Sequence, residues 1–180
     1  MAQPYVVLVG PPGAGKSTIG RRLASALKVQ FIDSDDLIAA EFAKPCGEVY
    51  AQLGEKAFRT AEAEQVARAL TVDGVVSLGG GAVVTAAVRD ALQDMVVVWI
   101  DVSAEEGVRR TGGDNSRPVL ASENPVKHYQ ALKDSRAEFY KEVASFYLRS
   151  DKRRPQEMVA DILAFLETLD DTEHHTPEPA

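Results

Sequence analysis

The sequence has a single cysteine, Cys46, so it can form neither an intramolecular disulfide nor a multi-cysteine metal site. Its three histidines, His128, His174 and His175, offer no metal-ligand spacing. Long apolar runs are missing too. Met95–Ile100 is among the longest, far below the ~20 residues of a membrane span. The first residues, Met-Ala-Gln-Pro-Tyr, lack the basic residue and long apolar core of a secretory leader, so a cytoplasmic protein is expected. Basic charge is in deficit, with 20 Lys and Arg against 27 Asp and Glu, which argues against a general nucleic-acid binder. What is present is ordinary globular composition: 180 residues, 45% apolar and 26% charged. A chain of this length forms one domain and buries roughly 70% of its unfolded surface.

The net charge of −7 hides an uneven distribution. From Pro155 onward there are seven acids and no Lys or Arg, so the first 154 residues are neutral. Within them, Arg109 to Arg154 holds eleven basic residues against six acids. A cluster of arginines in a neutral body suits a small, highly charged anion.

Short apolar runs at Tyr5–Gly10, Val29–Asp33, Val75–Leu78 and Met95–Asp101 read as buried strands. Between them lie helical patterns at Ser17–Leu27, Asp36–Phe42, Glu55–Leu70 and Thr85–Leu92. Lys44-Pro45 is expected to end the second helix, and Phe58, Ala61, Val66 and Leu70 to face the core. Ser103-Ala-Glu-Glu106 predicts a capping box opening another helix. Thr111–Asn124 is rich in Gly, Asn, Ser and Pro and reads as a loop or mobile flap. Asn124-Pro125 then caps a helix to about Val143, Ser145–Leu148 is a weakly marked fifth strand, and Pro155 opens the last helix. Residues 1–169 form one domain in this reading, and Asp170–Ala180 form a disordered acidic tail. Strands alternating with helices predict an α/β fold with a parallel sheet covered on both faces.

Gly10-Pro-Pro-Gly-Ala-Gly-Lys16-Ser17 fits the phosphate-loop pattern G-x-x-x-x-G-K-[ST], after a strand and opening a helix. Its glycines let backbone N–H groups converge on phosphate oxygens at a helix N-terminus. Lys16, exposed at the loop, would bridge the β- and γ-phosphates, and the Ser17 hydroxyl would ligate Mg²⁺. Asp33-Ser34-Asp35 closes the second strand, where a parallel sheet presents its ligand crevice. Asp33 could hold a metal-bound water and Asp35 an acceptor hydroxyl, or Asp33 or Ser34 could simply cap the next helix. Gly79-Gly80-Gly81, directly after the third strand, would let a ligand approach the backbone closely. Arg59, Arg117 and Arg136 could be solvated surface residues, but an arginine in a mobile loop, as is expected of Arg117, is suited to covering a transferring phosphoryl group. Cys46 reads as an incidental thiol and Trp99 as core.

From Tyr5 to Leu166 the chain resembles the shikimate kinases, small P-loop proteins related to the nucleoside monophosphate kinases. The resemblance rests on G-x-P-G-A-G-K-S-T-I-G at Gly10–Gly20, D-S-D at Asp33–Asp35, G-E-x-x-F-R at Gly54–Arg59 and S-L-G-G-G-A-V at Ser77–Val83. It continues with E-G-V-R-R-T at Glu106–Thr111, R-P at Arg117-Pro118 and R-x-x-x-Y at Arg136–Tyr140. It implies a three-layer fold with five parallel strands in the order 2-3-1-4-5, and a lid at about 111–124. It implies a monomer that uses ATP with Mg²⁺ to phosphorylate the 3-hydroxyl of shikimate, with no nucleic-acid or membrane partner. Asp35 would be the base, with Lys16 and Arg117 also catalytic. Gly13, Ala14, Gly15, Lys16, Ser17, Thr18, Arg110, Arg117, Arg153 and Pro155 would bind ATP. Asp35, Arg59, Gly79, Gly80, Gly81 and Arg136 would bind shikimate, and Ser17 with Asp33 (through water) the metal. Pro11-Pro12, Cys46 and Glu138 depart from the family's usual pattern. A kinase of a sugar acid such as gluconate, or of a nucleoside monophosphate, is the alternative. A GTP switch would want an N-K-x-D motif, which the sequence lacks.

Overall fold

The computed structural model describes residues 3–112 and 123–173. Five short strands, β1 (Val6–Val9), β2 (Gln30–Asp33), β3 (Gly74–Ser77), β4 (Val97–Asp101) and β5 (Phe146–Arg149), form one sheet in the order β2-β3-β1-β4-β5. Every pairing is parallel, so each connection crosses over a face of the sheet. The strands are short and β-branched, and the central three are almost wholly buried, as a sheet covered on both sides requires.

The helices are α1 (Lys16–Leu27), α2 (Ser34–Phe42), α3 (Cys46–Leu53), α4 (Glu55–Ala69), α5 (Ala86–Ala91), α6 (Ala104–Thr111), α7 (Pro125–Val143) and α8 (Pro155–Glu173). One core packs α1 and α8 on the sheet through Ile19, Leu23, Met158 and Ile162. The other packs α4, α5 and the end of α7 through Val66, Val88, Leu92, Tyr140 and Val143. A third, smaller cluster of Ile38, Val49 and Phe58 joins α2, α3 and α4.

The sheet order and the fifth strand agree with the sequence reading. Helix α3 was not expected. Pro45 follows the end of α2, but its carbonyl also accepts the Glu48 and Val49 N–H groups, so the same proline opens a new helix. The capping box at Ser103 forms by half: the Ser103 hydroxyl accepts from the Glu106 N–H, but the Ser103 N–H goes to Asp151 and the Glu106 carboxylate to Arg109 and Arg110. Asn124 caps α7 as expected, accepting from the Lys127 N–H. Thr111 belongs to α6, its hydroxyl bonded to the Gly107 carbonyl. The central part of the predicted flap, 113–122, and residues 174–180 lie outside the described residues. Helix α8 runs to Glu173, beyond the boundary expected at 169. Among the described residues, no helix is long and apolar enough to cross a membrane.

Candidate active site

The C-terminal ends of β1, β2, β3 and β4 open onto one crevice, and the predicted site residues sit on the loops that leave them. The loop after β1 turns through Gly13 and Gly15, both at positive φ, into the N-terminus of α1. Lys16 was expected to stand exposed. Instead it is only 9% exposed, and its ammonium donates to the carbonyls of Gly10 at 2.7 Å and Pro11 at 3.0 Å. The loop curls round the lysine, satisfying a charge it would otherwise be costly to bury.

Asp33 combines the two roles that the sequence left as alternatives. Its Oδ1 accepts from the Asp35 N–H at 2.9 Å, capping α2, while its Oδ2 accepts from the Ser17 hydroxyl at 2.6 Å. A hydroxyl and a carboxylate side by side at the phosphate loop are the hard oxygen donors Mg²⁺ takes when substrate phosphates complete its shell. Among the described residues no cluster of three or more His, Cys, Asp or Glu could hold a metal by itself.

On the α1 side, Ala14, Gly15, Thr18, Arg110, Arg153 and Pro155 line a cavity of 220 Å³. Arg110 is held there by Glu106, by the Gly13 carbonyl and by Ser150. Arg153 is paired with Asp161 at 2.7 Å.

A second cavity, of 340 Å³, opens on the other side of Pro12 and brings together Asp35, Arg59, Gly79, Gly80, Gly81 and Arg136. Asp35 lies at the start of α2, Arg59 on the first turns of α4 and Arg136 on α7. The triple glycine is what lets them converge. A Cβ on Gly79 would stand 2.5 Å from Asp35 Oδ1, one on Gly80 3.0 Å from Pro12 Cδ, and one on Gly81 2.2 Å from Arg59 Nη2. The Gly79 N–H donates to the buried Ser34 hydroxyl at 2.9 Å, tying this loop to α2.

Four residues of this pocket were not legible as functional. Glu62, 2% exposed, accepts from Arg59 at 2.6 Å, and Arg59 is itself only 15% exposed. Burial pushes the Glu62 carboxyl above its ordinary value, with Arg59 pulling the other way. The Arg59 Nε is buried and has no hydrogen-bond partner among the described residues. Cys46 also lines the cavity, its thiol 3.6 Å from Asp35 Oδ1, rather than lying apart from the site. Tyr50 and Phe58 form an edge-to-face apolar wall at 5.1 Å. Trp99 is half-buried, stacked on Tyr140 and edge-on to Tyr147. Arg117 lies outside the described residues.

The arrangement is a glycine-rich loop opening a helix, with an adjoining cavity lined by Arg110 and Arg153, and beside Pro12 a pocket that holds Arg59 and Arg136 with the carboxylates of Asp35, Asp36 and Glu62. Comparison with known proteins points the same way. A family model described as shikimate kinase matches residues 12–167. The chain is 59% identical over 167 residues to a shikimate kinase of Corynebacterium efficiens, covering 93% of this chain and 99% of that one. It is 46% identical over 168 residues to one of Mycobacterium avium, covering 93% and 96%. Its fold is similar to that of the Acinetobacter baumannii shikimate kinase in complex with shikimate, with TM-score 0.86, 31% identity and coverage of 93% and 94%.

Proposed function

The chain belongs to the shikimate kinase family and is an ATP-dependent kinase acting on shikimate, and from that premise we infer how its residues share the work. ATP places its phosphates on the loop Gly13–Thr18 and its base near Arg110, Arg153 and Pro155. Shikimate occupies the 340 Å³ cavity, with its carboxylate on Arg59 and Arg136 beside the Gly79–Gly81 backbone. Two guanidinium groups suit a carboxylate because each offers a planar pair of donors.

Asp35 binds the ring hydroxyls on the side nearest the phosphate loop. It accepts the proton of the 3-hydroxyl as that oxygen forms its bond to the γ-phosphorus and the bond to the β-phosphate oxygen breaks. Lys16 lies along the β- and γ-phosphates, and Arg117 joins from the 111–124 lid to cover charge on the moving group. Ser17, and Asp33 through water, would hold Mg²⁺, which would supply neutralisation of the phosphate charge. The enzyme works as a cytoplasmic monomer of one domain, which includes α8 to Glu173.

One observation carries this assignment. The two arginines and the aspartate converge on a single cavity that touches the phosphate loop at Pro12. A gluconate or nucleoside monophosphate kinase would also use arginines, so the acceptor decides. Coupled ADP-release assays with shikimate, gluconate and nucleoside monophosphates should give turnover with shikimate alone. Turnover with another acceptor and none with shikimate would overturn the reading.

A further inference from the structure

Helix α7 carries two tyrosines whose roles go beyond packing. Tyr129 and Tyr140 are eleven positions apart, three turns of helix, so they share one face about 16 Å apart along the axis. Both are fully buried. The Tyr129 hydroxyl donates to the carbonyl of Pro12 in the phosphate loop, and the Tyr140 hydroxyl to the carbonyl of Gly80 in the triple-glycine loop. Between them, Lys133 reaches the Val102 carbonyl and pairs with Asp101 at 2.9 Å, so α7 grips the ends of β1, β3 and β4. Arg136 lies one turn before Tyr140 on the same helix and lines the acceptor cavity with Gly80 and Gly81.

Phenylalanine would bury the same ring with no hydroxyl to satisfy, so the two phenols need another explanation. Their acceptors supply it. In a planar trans peptide the C=O and the next N–H point in opposite directions. Fixing the Gly80 carbonyl towards α7 therefore turns the Gly81 N–H away from it, and fixing the Pro12 carbonyl does the same for the Gly13 N–H. Neither N–H donates to a protein acceptor among the described residues. Burial pushes the Tyr140 hydroxyl up to about 12, so it remains a donor at neutral pH.

We propose that Tyr129 and Tyr140 are positioning residues for the transfer. From one helix, Tyr129 sets the Pro12–Gly13 peptide on the phosphate side, and Tyr140 sets the Gly80–Gly81 peptide on the acceptor side. The division into nucleotide and acceptor sides rests on the function proposed above; the orientation of the peptides does not.

The test compares Tyr129→Phe with Tyr140→Phe, each keeping its ring and each checked for folding by thermal melting. Tyr140→Phe should raise the KM for shikimate about tenfold and that for ATP by less than about twofold, as loss of one buried hydrogen bond implies. Tyr129→Phe should do the reverse. Amide ¹⁵N spectra of the enzyme without substrates give a second readout. The Gly81 resonance should move in Tyr140→Phe and the Gly13 resonance in Tyr129→Phe, whatever the acceptor proves to be. Equal effects of both variants on both KM values, or unmoved glycine amides, would overturn the proposal. Failure of wild-type protein to phosphorylate shikimate would overturn the functional reading and leave the amide test standing. In a variant that does not fold, slowed exchange of the corresponding hydroxyl proton in the wild type replaces the comparison, and rapid exchange there would refute the bond.

Discussion

Replacing Arg59 by methionine keeps an apolar stem in place and removes the charge that faces Glu62. Glu62 is 2% exposed and accepts from Arg59 at 2.6 Å, so the variant leaves a buried carboxylate without its partner. Breaking a buried pair from one side commonly costs about 3–5 kcal/mol. Here the cost has a ceiling, because Glu62 can escape it by taking up a proton. The ordinary pKa of this carboxyl is 4.5, so at about pH 7 protonation costs two and a half pH units, or about 3.4 kcal/mol. At about pH 5 the same escape costs about 0.8 kcal/mol. Burial already raises the Glu62 pKa, so the native state holds its proton more tightly than the unfolded chain does. This group's contribution is therefore most favourable below 4.5 and declines as pH rises, and losing Arg59 steepens the decline. Urea unfolding followed by Trp99 fluorescence should show Arg59→Met destabilised within the ceiling at pH 7 and much less at pH 5. Adding Glu62→Gln should recover most of the loss at pH 7. Equal destabilisation at both pH values, with no recovery, would refute the idea that Arg59 holds an ionised Glu62.

Lys16→Ala should reduce turnover at least about 10²-fold and weaken ATP binding, since the loop closes around that ammonium; activity within a few-fold of wild type would contradict it. Arg136→Lys should raise the KM for shikimate about tenfold or more and spare that for ATP, because an ammonium cannot reproduce a planar pair of donors; steady-state kinetics against each substrate decides this. Gly79→Ala should impair turnover without unfolding the protein, since the added methyl would stand 2.5 Å from Asp35 Oδ1 and displace that carboxylate; unchanged kcat and KM would show that Asp35 can move aside at no cost.

Much of the fold was legible because its strands are short apolar runs closed by glycine or aspartate, and its helices begin at recognisable caps such as Asn124-Pro125. Helix α3 escaped because a proline marks a stop and a start equally well, and only the hydrogen bonds accepted by its carbonyl distinguish them. Within the site, Asp35, Arg59, Arg136 and the triple glycine were readable and do converge on one cavity. Glu62 was hidden by its chemistry. A glutamate in a helix of low amphipathicity is taken for solvent-facing, although its position three residues after Arg59 was the available clue. The burial of Lys16 was hidden for a different reason. It depends on carbonyls of the lysine's own loop, whose direction follows from backbone angles and not from residue type.

The strand order has a consequence for synthesis on the ribosome. β1, Val6–Val9, is made before the other four strands of the sheet, yet both its neighbours lie far downstream, β3 beginning at Gly74 and β4 at Val97. At typical elongation rates of about 5–20 residues per second, roughly 3–14 s pass before β3 has even been translated. Through that interval the most apolar strand of the domain, with all four residues destined for full burial, has no native partner to pair with. The nascent chain therefore carries an exposed β-forming segment through that interval, and chaperone engagement or self-association would begin there.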